Sequence, residues 1–160
     1  MRKPFVTLVF LVLLTPQLSG SDQAIGGIKL LDGYRIRKDW AVDASSWRIE
    51  KPGGLIIHFE AGYSEGFIVD ANDRSKYAWF REQTINGNKV LLALVKPGMK
   101  KDPDLDKERN LPPGNVLLVT FPLPGGTAHA ANFVGKIANS EEMVDMLLMV
   151  MTFDPSKGSF

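Results

Sequence analysis

His58 and Glu60 stand two positions apart in a run that alternates apolar and polar residues. On a β-strand both side chains would leave the same face, where an imidazole and a carboxylate can share a metal ion or relay a proton. A metal site needs three or four ligands, and only two are suggested. The turn at Pro52-Gly53-Gly54 also brings Arg48 opposite His58, and a guanidinium there repels a second cation. Arg48, His58 and Glu60 therefore read as a cross-strand charge cluster on a solvated face and as a candidate binding surface, with no metal assigned. His129, the other histidine, has no link to His58 along the chain.

Two further patterns resemble metal sites in spacing only. Asp102, Asp104, Asp106 and Glu108 alternate as calcium ligands do, but the sharp-turn glycine is missing, Pro103 interrupts the run, and four basic residues flank or enter it. Met143, Met146 and Met149 would carry thioethers along one side of a helix, as soft ligands for Cu(I) do. Set among Val144, Leu147, Leu148 and Val150, they read as core packing instead. No cofactor is expected.

Tyr77, Trp79 and Arg81 alternate along one strand, so an aromatic pair and a cation would share a face suited to stacking on a sugar, an aromatic group or a peptide side chain. The competing account is that Trp79 packs in the core and Arg81 lies at the sheet margin. For catalysis the signals are missing: no Gly-x-Ser-x-Gly elbow, no phosphate loop and no His-Glu-x-x-His occur. No catalytic residue is assigned, although a site assembled from dispersed residues has no linear signature.

Turn chemistry organises the elements that carry these residues. Trp47–Lys51 and Leu55–Glu60 flank Pro52-Gly53-Gly54, and a three-residue loop puts Ile49 opposite Ile57, with Trp47, Ile49, Leu55, Ile57 and Phe59 on one face. Asn86-Gly87 predicts a type I′ hairpin between Tyr77–Ile85 and Asn88–Lys96, pairing Gln83 with Val90, Arg81 with Leu92 and Trp79 with Leu94. Val90–Val95 is apolar on both faces and should be covered on both sides. More strands are expected at Tyr34–Lys38, Gly66–Asp70, Val116–Phe121 and Ala128–Ala138. Asn139 or Ser140 should cap a helix that runs over Met143–Met151 and stops before Asp154-Pro155, although Leu147–Phe153 also fits a closing strand. Apart from Asp145 that helix is apolar all round, which calls for deep burial or a partner on its second face. The fold expected is α+β and mainly antiparallel, with one or two twisted sheets, sandwich-like or partly open barrel, and a C-terminal helix packed on the sheet.

Met1-Arg-Lys-Pro followed by the largely apolar run Phe5–Leu14 and the small residues Ser19-Gly20-Ser21 is the layout of a secretory signal peptide, too short to span a bilayer. The expected domains are a signal peptide at 1–21 and a single β-rich domain at 22–160 with a long charged loop at 97–115. Without Arg2 and Lys3 the formal charge moves from +1 to −1, which offers no attraction for nucleic acid. Zero cysteines exclude a disulfide scaffold, a thiolate metal site and a cysteine nucleophile. With no sequon and no lipobox cysteine, a bacterial periplasmic or extracellular location is expected. The function expected is an exported, non-catalytic binding or interaction module for a protein or small molecule, with possible oligomer formation through the C-terminal helix. The alternatives are a small extracytoplasmic hydrolase and an envelope-associated structural or assembly subunit.

Overall fold

At Asn86-Gly87 both residues adopt left-handed backbone, with φ of 50° and 79°, as a type I′ turn requires. They join strands Tyr77–Ile85 and Asn88–Val95 in the expected register, with Gln83 opposite Val90 and Trp79 opposite Leu94. Gly53, at φ 69°, lets the other hairpin close between Ser45–Glu50 and Ile56–Gly62, with Ile49 opposite Ile57 and Arg48 opposite His58. The computed structural model describes residues 25–39, 45–62, 66–98, 115–124 and 129–158. The expected signal peptide, the acidic run at 102–108 and most of the 97–115 loop lie outside them.

Numbered along the chain, the strands are β1 (Arg35–Lys38), β2 (Ser45–Glu50), β3 (Ile56–Gly62), β4 (Tyr77–Ile85), β5 (Asn88–Val95), β6 (Val116–Pro122) and β7 (Ala130–Lys136). They form one antiparallel sheet in the order β1-β2-β3-β7-β6-β5-β4. The α+β expectation holds in its single-sheet form, and the pairing of β3 with β7 joins the two hairpin-bearing halves. Helix α1 (Ser140–Val150) follows β7, so Leu147–Phe153 is not a strand. Asn139 caps it by accepting from the Glu142 N–H, while the Glu142 carboxylate accepts from the Ala138 N–H at 2.8 Å. Among the described residues no helix is long and apolar enough to cross a membrane.

The helix covers the sheet face that carries Ile49, Ile57, Phe59, Leu117, Val119 and Phe133, all buried. It approaches closely because β7 offers bare backbone at Gly135, where a Cβ would lie 2.5 Å from the Met146 sulfur. Met146 and Met149 are fully buried and Met143 packs at the margin, which settles these methionines as packing residues. Beyond the helix, Phe153 turns into the core. Its ring centroid lies 4.7 Å from Phe121, 5.1 Å from Phe133 and 5.7 Å from Phe59. The N-terminal segment closes over it: Asp154 N–H donates to the Gly26 carbonyl at 2.9 Å and Lys29 N–H to the Thr152 hydroxyl at 2.7 Å.

One expected strand is absent. Gly66–Asp70 is irregular, although Val69 is fully buried. Its apolar residues signal burial, but the segment lies over the second face of the sheet and bonds to side chains in place of a ladder: Val69 N–H donates to the Thr120 hydroxyl and Asp70 N–H to the Tyr77 hydroxyl. Val69, Phe67 and Ile68 thereby cover β5 and β6 on that side, so β5 is covered on both faces as its composition requires.

Because Phe153 contacts aromatic rings from three strands, Phe153→Ala should cost about 3–5 kcal/mol of unfolding free energy. Urea denaturation measures this, and a loss under about 1 kcal/mol would show that the ring is not a core anchor.

Candidate functional site

The second sheet face divides into two halves. Over β4, β5 and β6 it is apolar and covered by residues 66–71; over β1, β2 and β3 it carries charge. Arg35 and Arg37 both reach Glu50, at 2.9 and 3.1 Å. One strand further in, Asp39 Oδ2 lies 3.2 Å from the Arg48 guanidinium and 4.0 Å from His58 Nδ1. Glu60 projects from the same face, opposite Ser46 on one side and Asn132 on the other. The structure thus groups Arg48, His58 and Glu60 as the strand register implies, and adds Asp39 between the two cations. The charges alternate across the strands, which relieves the repulsion that Arg37 opposite Arg48 would otherwise create.

Tyr77, Trp79 and Arg81 do not share a face. A bulge shifts the register between Tyr77 and Trp79, so that Tyr77 opposes Val95 while Trp79 opposes Leu94. Tyr77 is buried on the second face, stacked on Phe80 at 6.2 Å, with its hydroxyl accepting from the Asp70 N–H at 2.8 Å. Trp79 and Arg81 remain on the helix side, the guanidinium 5.9 Å from the indole ring. Trp79 packs against the main core and Arg81 is exposed. An alternating pattern cannot reveal a bulge, because the extra residue leaves composition unchanged. The charge cluster and this edge are also remote, since β3 and β4 are four strand spacings apart, roughly 19 Å.

The two histidines are separate as well. His129 precedes Ala130, which opposes Gly62, four residues along β3 from His58 and so roughly 13 Å away. Its Nδ1 lies 2.9 Å from the Pro124 carbonyl oxygen, which can only accept, so Nδ1 carries the hydrogen. Together with Asn88, Leu123 and Ser156 it borders a cavity of about 290 Å³. Among the described residues no three His, Asp or Glu side chains come together as a ligand set.

A larger cavity of about 670 Å³ lies between residues 67–72 and the sheet, bordered by Phe67, Val69, Leu91, Pro122, Lys76 and Lys89. A buried polar pair holds its roof. The Thr120 hydroxyl donates to Asn132 Oδ1 at 2.9 Å, and Asn132 Nδ2 donates to the Gly66 carbonyl at 2.9 Å. Both side chains are almost wholly buried, as is Lys136 further along β7. Polar residues inside the otherwise apolar strands 116–121 and 130–137 were the sequence signal for these positions. At the far end of the roof, Asp70 accepts from the Asn72 N–H at 2.9 Å and the Asp73 N–H at 3.3 Å, with Lys76 Nζ at 3.5 Å. The backbone donors first, then the lysine, hold its carboxyl below the ordinary aspartate range. Residues 70–73 thus form a bend closed by the Asp70 side chain.

The helix offers the remaining surface. Val144, Leu148 and Met151 recur at four- and three-residue spacing and are 52, 49 and 53% exposed, while Met146, Met149 and Val150 face the sheet. Compared with known proteins, the chain matches no family model, no curated protein and no solved structure.

Asn132→Ala strips the Thr120 hydroxyl and the Gly66 carbonyl of a buried partner, which should cost about 1–3 kcal/mol. It should also speed proteolysis within 66–71; an unchanged digestion rate would argue against the roof being hung from this side chain. Because the folded pKa of Asp70 is lowered, its stabilisation is complete above the unfolded value and is lost as pH falls through the folded one. Melting temperature followed from neutral to acid pH should therefore fall less steeply in Asp70→Asn than in the wild type, and equal slopes would contradict that role.

Proposed function

We propose that this protein is an exported, non-catalytic interaction module that receives a basic amphipathic segment of a partner protein on α1. The observation that carries the reading is the exposed row Val144, Leu148, Met151. A row with this spacing matches the anchors of a helix docked lengthwise. The charge of the helix favours the same occupant. Ser140–Val150 contains Glu141, Glu142 and Asp145 and no basic residue, so a partner with lysines or arginines beside its apolar anchors is complementary. A second copy fits less well, because it would oppose acid with acid. Export is supported by the leader-like start of the sequence.

A second reading, binding of a small molecule, draws support from the 670 Å³ cavity, whose size falls within the range of small-ligand sites. Its largely apolar walls suit a hydrophobic ligand.

The test uses a synthetic amphipathic peptide with leucines at helical spacing and flanking lysines, titrated into the protein with its tryptophan fluorescence followed. Saturable binding should weaken at least about tenfold in Leu148→Glu, which should still melt at the wild-type temperature. No saturable binding, or binding unaffected by the substitution, would sink the proposal. Sedimentation showing a dimer abolished by Leu148→Glu would replace the partner peptide with a second copy.

A further inference from the structure

Asn86-Gly87 is the one Asn-Gly dipeptide in the chain, and it forms the tip of the β4–β5 hairpin. The Asn86 side chain is more than a turn former. Its Nδ2 donates to the Met151 carbonyl at 3.1 Å and to the Phe153 carbonyl at 3.0 Å. Both acceptors are carbonyl oxygens, so the amide orientation is unambiguous and both of its hydrogens are used. This single primary amide fastens the hairpin tip to the chain leaving α1, immediately beside the ring of Phe153 in the core.

We propose that Asn86 is a deamidation site with water as co-reactant, and that its conversion irreversibly releases the end of α1 from the hairpin. The Gly87 nitrogen loses its proton and bonds to Asn86 Cγ; the Cγ–Nδ2 bond breaks and ammonia leaves. Water then opens the cyclic imide at either carbonyl to give aspartate or isoaspartate, with no change of oxidation state. Glycine is the most permissive residue for the attack because no Cβ shields its nitrogen. Deamidation removes the N–H donors on which the clamp depends. An aspartate would face the Met151 and Phe153 carbonyls with oxygens alone, placing acceptor against acceptor. An isoaspartate would also lengthen the backbone in a turn that requires φ of 50° and 79°. While the clamp is closed its two hydrogen bonds fix the amide and restrict the rotation that attack requires, so conversion proceeds from the opened molecule. The site therefore records how often this corner has opened. The proposal stands whether or not the helix row binds a partner.

The experiment incubates the whole chain at mildly alkaline pH, folded and in urea, and follows each asparagine by peptide mapping. In urea Asn86 should convert ahead of every other asparagine, and folding should slow it markedly. Separately, hydrogen exchange of the Thr152, Phe153 and Asp154 amides should quicken by roughly fivefold in Asn86→Asp, the scale of one net hydrogen bond. Asn86→Gly keeps the left-handed turn without adding charge; it should show the same quickening, and it carries the test if the aspartate variant does not fold. The proposal is overturned by any of three results: another asparagine leading in urea, equal rates in folded and unfolded chains, or unchanged exchange at residues 152–154 in the folded variant.

Discussion

Phe153 is the residue on which the arrangement of the other parts depends. Its ring meets Phe59, Phe121 and Phe133, which stand on three adjacent strands, and the Gly26 backbone closes over the other side. A Cβ on Gly26 would lie 2.4 Å from the ring, so the N-terminal segment reaches this depth only as bare backbone with φ of 46°. The helix is thus held at its start by the Asn139 cap, at its middle by Met146 seated on Gly135, and just beyond its end by an aromatic side chain. Tyr34 adds a polar tie from the N-terminal side, donating to Asp145 at 2.9 Å. Most of these restraints act on one face, and that is why the opposite face of α1 can keep Val144 and Leu148 in water.

The hairpins were legible because their turns carry their own chemistry. Asn86-Gly87 dictates a two-residue turn, Gly53 supplies a positive φ, and once the turn is set the period of two assigns every opposite pair. The helix was equally readable from its cap and its unbranched residues. What local pattern could not supply was the pairing of β3 with β7, strands separated by more than sixty residues, or the sheet order that follows from it. The bulge before Trp79 and the irregular path of Gly66–Asp70 escaped for the same reason. Both depend on side-chain bonds that periodicity does not encode: the Asp70 N–H donates to the Tyr77 hydroxyl seven residues on, and the Val69 N–H to Thr120 on β6.

Of the candidate site, the part deduced from strand register was legible and the part deduced from composition was not. Arg48 faces His58 as the loop length requires, yet Asp39, which mediates between them, comes from the strand-flanking end of β1 and has no sequence signature. Asn132 and Thr120 look like weak points in apolar strands, and in the folded chain they are the fasteners of a segment that would otherwise have no ladder to join. The exposed row on α1 was foreshadowed more directly, because a short helix with apolar residues all round has one side more than a single sheet can cover.

The position of Phe153 after every strand also bears on the order of folding. Strands β1 to β7 can pair before it is available, but the sheet face beneath α1 stays uncovered until the helix and this ring arrive. The closing contact joins Gly26 to Asp154, nearly the full described length of the chain. Such long-range closure makes for slow folding and leaves apolar surface exposed in the meantime. A chain built this way reaches its protected state late and all at once, so until residue 153 has been synthesised its paired strands remain as adhesive as a fragment.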